Sequence, residues 1–491
     1  MPPARPEDAG SAGSAGSSEP PAATASAAHS PRLHAMLHGR VAPTLLRLAW
    51  PNLLMMLAQS GAALMETWFI SRLGGHALAG AALVTPVLML MQNMSQGAMG
   101  GGISAAVARA LGAGRRDEAD RLVLHAVALN AALGLACALM LASFGERLYR
   151  AMGAHGPVLD AALAYSDVLA GGLALMWIMN ALASAVRGTG NMVVPGLVIC
   201  GGAVLLVPLS PCLIFGPGPL PALGIAGAAW AMVGYYAAGA AILLWYCASG
   251  RNPARLRPGA LQWAPARSIL AVGGLATVNP LLTNGLIAAT TALVGAYAGT
   301  AALAGYGTAA RLEYLVIPVC FGIGAPLVAL VGANIGAGQQ ARALRIALTG
   351  GAMAFAIAEA IGLAAALWPH AWLGLFDDDP AMLQAGAAYL RTVGPLYGFF
   401  GLGFTLYFAS QGAGRLKWPL LAGFVRLAVA AGAGWLALRL GGSLAAFFAA
   451  SALAMFLYGA IVLAAVASGS WFGPDARRYH GGHRLPGPRP P

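Results

Sequence analysis

Three glutamates, Glu66, Glu313 and Glu359, lie inside long apolar runs of the sequence. The chain has 16 acidic residues, and of the remainder only Asp167 falls within such a run. A charged side chain at the centre of a membrane helix costs about 2.5–3.5 kcal/mol on insertion scales, so these acids are functional candidates by default. Because a low dielectric disfavours the ionised carboxylate, a buried glutamate can take up a proton and later release it.

Each of these acids also has an interpretation without function. Glu66 could extend to the membrane interface or pair with Arg72. Glu313 follows Arg311 by two positions, so the two side chains do not share a helix face, and Arg311 could lie at the outer interface. A neutral, hydrogen-bonded acid facing another helix would account for Glu359. Three acids are therefore secondary candidates: Glu313, Glu359 and Asp167.

The composition indicates a protein whose solvent is mostly lipid. Of 491 residues, 59% are hydrophobic and 9% are charged, whereas soluble domains carry about 25% charged residues. This excludes a soluble enzyme, a disordered regulator and a nucleic-acid-binding module. The five cysteines are widely spaced in apolar runs, and the histidines are scattered. We therefore expect no disulfide framework, no metal site, no cofactor and no enzymatic activity.

Twelve apolar runs are long enough to cross a membrane, which takes about 20 helical residues. They must be helices, because backbone polar groups in lipid have to be satisfied within each segment. The predicted fold is an all-α membrane protein. The runs lie near 45–70, 77–108, 121–144, 160–186, 191–215, 222–248, 265–297, 302–333, 343–369, 383–411, 416–440 and 443–467.

The basic residues predict the orientation of these spans. Twelve crossings put both tails on one side, and that side then carries 21 of the 28 Lys and Arg residues. By the positive-inside rule both termini are cytoplasmic, in a multi-pass plasma (inner) membrane protein. The cytoplasmic segments are a tail over 1–40, disordered over its first thirty residues, a linker over 251–264 and a tail over 469–491.

The two halves of the chain resemble each other at an offset of about 224 residues. The matched segments are 74–80 with 299–305, 111–114 with 335–338, 187–190 with 411–414, and Pro195 with Pro419. Because the offset spans six helices, both halves have the same orientation. Parallel repeats of this kind build carriers with two lobes around a central cavity. We name them the N-lobe, residues 41–250, and the C-lobe, residues 265–468.

At these motifs the chain resembles the multidrug and toxic compound extrusion (MATE) family. The similarity runs from about Leu45 to Ala467. It includes the Leu-Ala-Gly segment that opens span 2, the Gly-Ala-Gly turn after it, the Arg187-Gly188-Thr189-Gly190 motif and the stretch from Phe215 to Gly224. The resemblance implies a twelve-helix, two-lobe antiporter. Such proteins expel organic cations and other amphipathic compounds in exchange for inward H⁺ or Na⁺.

The resemblance also implies an ion-coupling site. The family typically has an Asp-Thr pair near the end of span 1, with Gln seven residues earlier. Glu66, Thr67 and Gln59 match this pattern, with Glu in place of Asp. In span 5, Leu206 and Ser210 stand where many members carry Asn and Asp, and spans 7 and 10 contain no acid. One basic oxygen suffices for a proton but not for Na⁺, so we expect H⁺ coupling rather than Na⁺ coupling.

Polar residues in other spans are candidates for the substrate cavity, although interhelical hydrogen bonds are the commoner explanation for such residues. These candidates are Gln92, Asn93, Asn180, Asn284 and Tyr397. We predict a monomeric antiporter with partners limited to a small-molecule substrate and the bilayer, and no nucleic acid. The alternative is a lipid-linked precursor flippase of related fold. That function would need basic residues in the cavity, and the spans contain only Arg311, Arg391 and Arg426.

Overall fold

A computed structural model describes residues 31–216, 221–441, 443–469 and 471. These residues form helices joined by short turns, and the described part of the chain contains no β-strand. The predicted all-α membrane fold is confirmed. The predicted disordered segment 1–30, most of the C-terminal tail and part of the 215–224 motif lie outside the described residues.

A short helix, α1, precedes the N-lobe in the chain. The second span of the N-lobe is continuous but contains a π-helical turn over Asn93–Met99 between α3 and α4. The helices are α1 Pro31–His38, α2 Val41–Ser71, α3 Gly75–Gln92, α4 Gly100–Gly112, α5 Arg116–Ala151, α6 Pro157–Gly188, α7 Val193–Phe215 and α8 Ile225–Ala248.

The C-lobe repeats the order of membrane helices seen in the N-lobe, but more of its helices are interrupted by short turns. A 3₁₀ turn over Gly394–Leu396 separates α13 from α14, and a π-helical turn over Ala428–Ala433 separates α15 from α16. The helices are α9 Trp263–Ala276, α10 Val278–Gly336, α11 Gln340–Leu367, α12 Pro369–Leu373, α13 Pro380–Val393, α14 Tyr397–Ala413, α15 Lys417–Leu427, α16 Gly434–Arg439 and α17 Leu444–Ala467.

In the described residues, ten stretches are long and apolar enough to cross a membrane. One of them, Trp263–Gly336, has 74 residues and is broken at Gly299, where φ is +80°. This stretch therefore covers the predicted spans 7 and 8. The predicted span over 383–411 corresponds to α13 and α14, which the 3₁₀ turn divides.

The internal repeat is visible in how the two lobes meet. A Cβ atom on Gly112 would lie 2.0 Å from the carbonyl oxygen of Ala333, and one on Gly336 would lie 2.1 Å from the carbonyl oxygen of Arg109. Gly336 follows Gly112 by 224 positions, and Ala333 follows Arg109 by the same number. The end of α4 and the end of α10 thus pack reciprocally, as a parallel repeat predicts.

Further contacts between the lobes lie at this same end of the bundle. Arg109 Nη1 donates a hydrogen bond to the Gly412 carbonyl across 3.0 Å. Helix α1 covers the junction: Asn334 Nδ2 donates to the Met36 carbonyl across 3.1 Å. We call this end, where α4, α10 and α14 finish beneath α1, the closed face.

Candidate functional site

Glu66 is buried in the N-lobe, with 8% of the residue exposed. The Ser210 hydroxyl on α7 donates a hydrogen bond to Glu66 Oε1 across 3.3 Å. Two tyrosines, Tyr165 of α6 and Tyr236 of α8, lie close enough to interact electrostatically with this carboxylate. Residues from α2, α6, α7 and α8 therefore surround one carboxyl group inside a single lobe.

No cation pairs with Glu66 among the residues that the structure describes. The ion pairs there join Arg115 to Glu118, Arg150 to Glu146, Arg257 to Asp120 and Arg426 to Glu313. Arg72, the partner considered from the sequence, instead places its guanidinium 4.8 Å from the centre of the Trp68 ring. Glu66 is thus a buried carboxyl group whose hydrogen-bond donor is neutral.

The two residues predicted to accompany Glu66 are placed differently. Gln59 precedes Glu66 by two helical turns and so lies on the same face of α2; its side chain interacts with the Tyr235 hydroxyl. Thr67 is exposed, and its hydroxyl donates to the Ala63 carbonyl across 2.9 Å. Adjacent helical residues point about 100° apart, so Thr67 does not join Glu66 in this site.

Glu313 belongs to a polar cluster in the C-lobe. The Tyr389 hydroxyl donates to Glu313 Oε1 across 2.5 Å, and Arg426 Nη2 donates to Glu313 Oε2 across 3.4 Å. The Tyr306 hydroxyl donates to Thr290 Oγ1 across 2.8 Å. We call these five residues the C-lobe cluster.

The C-lobe cluster occupies the repeat-related position of the Glu66 site. Thr290 follows Glu66 by 224 positions, and Tyr389 follows Tyr165 by the same number. The two sites differ in charge. Glu313 in the C-lobe has an arginine partner, whereas Glu66 in the N-lobe has none among the described residues. Tyr389 was not predicted as a partner of Glu313, because the two residues are 76 positions apart. Arg426 was noted only as a basic residue in a span.

The other two acid candidates do not occupy comparable sites. Gly398 donates its backbone N–H to Glu359 Oε2 across 2.8 Å, in the first turn of α14. A carboxylate stabilises a helix at this end, where backbone N–H groups lack helical partners. Asp167 is exposed on α6.

Two of the cavity candidates meet in the N-lobe. Asn180 Nδ2 donates to Ser95 Oγ across 3.1 Å and to Gln92 Oε1 across 3.4 Å. Three others lie elsewhere: Asn93 and Asn284 are exposed, and Tyr397 is buried in the C-lobe, 1% exposed. The predicted set is therefore not one site in this conformation.

Comparison with known proteins agrees with this architecture. The MatE family model matches residues 51–212 and 276–436, one segment in each lobe. A probable multidrug resistance protein NorM from Deinococcus radiodurans is 30% identical over 397 residues, which are 78% of this chain and 84% of that protein. A FAD transporter from Shewanella oneidensis is 27% identical over 377 residues, 75% of this chain and 82% of that one.

A solved structure extends the agreement to three dimensions. A crystal structure of MATE in the bent conformation has a TM-score of 0.83 at 21% identity, covering 92% of this chain and 99% of that one. At this identity the likeness concerns the fold, whereas the sequence match establishes the family. The chain belongs to the MatE family of membrane transporters, the family that its repeated motifs resemble.

Proposed function

We propose that this protein exports amphipathic, preferentially cationic, small molecules in exchange for inward protons, and that Glu66 is the coupling group. The name of the Deinococcus radiodurans relative, a probable multidrug resistance protein, supports export of such compounds. The observation that carries the proposal is the burial of Glu66 beside the neutral Ser210 hydroxyl, with no cationic partner in the described chain.

This environment suits alternating occupancy by a proton and a lipophilic cation. Protonated Glu66 is neutral, so it is compatible with the apolar surroundings and does not attract a cation. Once ionised, it is a buried negative charge without a partner, which is costly until a cation binds nearby. Proton and cation thus oppose each other at one carboxyl group, and linkage makes the effect reciprocal.

The surroundings of Glu66 favour H⁺ over Na⁺. Hard cations are usually held by several oxygen ligands, whereas Ser210 is the one residue that hydrogen-bonds to Glu66 in the described chain. The described residues also contain no group of three or more His, Cys, Asp or Glu side chains that could hold a metal ion. A proton needs only the carboxylate itself.

The closed face fits one stage of this cycle. If both termini are cytoplasmic, as the distribution of basic residues indicates, the lobes are packed together on the cytoplasmic side. This arrangement corresponds to the stage in which substrate leaves outward and a proton enters from outside. Release of the contacts at Arg109, Gly112 and Gly336 would then precede binding of cytoplasmic substrate.

Transport from proteoliposomes under separately imposed gradients tests the proposal. Ethidium efflux should follow an inward proton gradient and should not respond to a Na⁺ gradient at constant pH. Asp167→Asn is a suitable control, since Asp167 is an exposed acid in the same lobe; it should transport like the wild type. Efflux driven by Na⁺ alone would contradict proton coupling.

A further inference from the structure

Two side-chain amides cross from one lobe to the backbone of the other. Asn52 of α2, in the N-lobe, donates through Nδ2 to the carbonyl oxygens of Phe321, across 3.2 Å, and Gly322, across 3.4 Å, on α10 of the C-lobe. Gln411 of α14, in the C-lobe, donates through Nε2 to the Gly97 carbonyl oxygen of the N-lobe across 3.3 Å. Asn52 is 2% exposed and Gln411 is 0% exposed. Each lobe thus supplies one buried amide donor to the other.

The two acceptor sites are related by the internal repeat. Phe321 follows Gly97 by 224 positions, the offset that relates the lobes, and each residue belongs to the second span of its lobe. The two donors are not related in this way, because their repeat-related positions hold Ala276 and Arg187. Equivalent backbone positions therefore receive an amide from the opposite lobe through two different helices.

Irregularities in the helices explain why these carbonyl groups accept bonds from another helix. Pro326 follows Gly322 by four positions and has no N–H, so the Gly322 carbonyl lacks its usual helical donor. Gly97 lies in the π-helical turn over Asn93–Met99, where the regular α-helical pattern of hydrogen bonds is interrupted. A buried carbonyl group that loses its donor is costly. The two amides therefore stabilise the arrangement in which the lobes are in contact.

An apolar core between the lobes adjoins both contacts. Ala98 of this core follows Gly97 directly in the chain, and the Phe321 ring meets the Phe408 ring with centres 5.2 Å apart. The core thus fills the space between the lobes beside each amide. Its buried members are Ala98 and Ala105 of the N-lobe, packed against Val272, Ala276, Val328, Tyr407, Phe408 and Leu416 of the C-lobe.

The acceptors lie far from the closed face. Gly97 precedes the end of α4 at Gly112 by 15 residues, and Gly322 precedes the end of α10 at Gly336 by 14 residues. At about 1.5 Å per residue, both carbonyl groups are about 20 Å from that end of the bundle. The hydrocarbon core of a bilayer is about 30 Å thick, so these contacts hold the lobes together inside the membrane.

We propose that Asn52 and Gln411, with the carbonyl groups they bind, form an inner latch that controls how often the lobes separate. Contacts at the closed face can exchange protein partners for water as soon as they break. The inner latch cannot, because its amides and carbonyl groups stay unpaired until water or a polar ligand enters between the lobes. The inner latch therefore opposes separation of dry lobes. It goes beyond the exchange proposed for Glu66 and does not depend on which ion drives export.

The rate at which a buried thiol reacts measures separation of the lobes. Ala105 is 0% exposed in the apolar core between them, so in an Ala105→Cys reporter a polar maleimide reaches this position only when the lobes part. The full chain is labelled in lipid nanodiscs without any ion gradient. Peptide mass spectrometry quantifies the label at position 105, apart from labels on the five native cysteines.

Two substitutions in the reporter chain remove the latch donors while nearly keeping side-chain size. Asn52→Leu and Gln411→Met should each accelerate labelling by about fivefold, because each leaves a buried carbonyl group without its donor. Together they should accelerate it by about 25-fold, since the contacts are separate. Asn130→Leu is the matched control: Asn130 donates to the Ala126 carbonyl across 2.8 Å within α5, so labelling should stay within about twofold of the reporter alone.

Two results would overturn the inner latch. One is labelling at the unsubstituted rate in either Asn52→Leu or Gln411→Met. The other is an equal acceleration in Asn130→Leu, which would show a general loosening of the bundle. Asn52→Ala removes the same amide without adding apolar atoms, and it takes the place of Asn52→Leu if that variant does not fold, with the same expected result. Because no gradient is applied, the outcome is independent of whether Glu66 couples transport to protons.

Discussion

The Ser210 hydroxyl reaches the Glu66 carboxylate across 3.3 Å and links α7 to α2 inside the N-lobe. Ser210 occupies a position at which, by its resemblance to the MATE family, many members carry an aspartate. A hydroxyl there leaves Glu66 as the single acid of its site in the described chain. The relationship explains how one protonation event can change the charge of the whole site.

Gly112 tests the closed face. In Gly112→Ala, the new Cβ atom would lie 2.0 Å from the Ala333 carbonyl oxygen, a separation that the backbone cannot tolerate. The lobes should therefore separate at the closed face, and amide hydrogen exchange should become faster over residues 105–114 and 329–338. Gly171→Ala on α6 is the matched control, because nothing lies within 4 Å of its Cβ position. Unchanged exchange in Gly112→Ala would show that the closed face is packed differently.

Two substitutions of Glu359 distinguish a helix-stabilising role of this residue from a role in proton coupling. Glu359→Ala leaves the Gly398 N–H without its acceptor, which should cost about 1–3 kcal/mol of stability and lower the thermal unfolding temperature. Glu359→Gln keeps an acceptor oxygen for this N–H. It should unfold near the wild-type temperature and transport normally. A Glu359→Gln variant that is stable but has lost proton-driven efflux would identify Glu359 as a coupling acid.

Thr67 and Gln59 give contrasting predictions on one helix. Thr67→Val removes an exposed hydroxyl that bonds only within α2, so ethidium efflux should change by less than about twofold. Gln59→Leu removes the polar group that interacts with Tyr235 on the Glu66 face, and efflux should fall further. The comparison is made at equal protein density in proteoliposomes. Equal losses in the two variants would contradict the placement of Thr67.

The fold was largely predictable because its signals are local and repeated. Apolar runs about 20 residues long define membrane helices, and the 224-residue offset relates the lobes. The break at Gly299 was predicted although no polar loop separates the two spans, because residues 299–305 match residues 74–80 in the repeat. The matched Gly74 also has positive φ. Interruptions within a span were harder to predict, such as the 3₁₀ turn over Gly394–Leu396 that divides the predicted span over 383–411.

The sequence singled out the buried acids Glu66 and Glu313 as candidates but not the side chains that surround them. Glu66 stands out because an acid in an apolar run is rare. The partnership of Glu313 with Arg426 joins residues 113 positions apart, and no periodicity specifies which helices pack together. Thr67 is the converse case: it follows Glu66 directly in the sequence and was predicted to be its partner. Adjacent residues do not share one face of a helix, so the two side chains are separated.

The central claim is that a bound cation and a proton compete for Glu66. The most direct measurement is proton release when ethidium is added to purified protein in weakly buffered detergent solution, followed with a pH indicator. The account predicts a release that scales with bound dye in the wild type and in Asp167→Asn, and no release in Glu66→Gln. Equal proton release from the wild type and from Glu66→Gln would contradict the account.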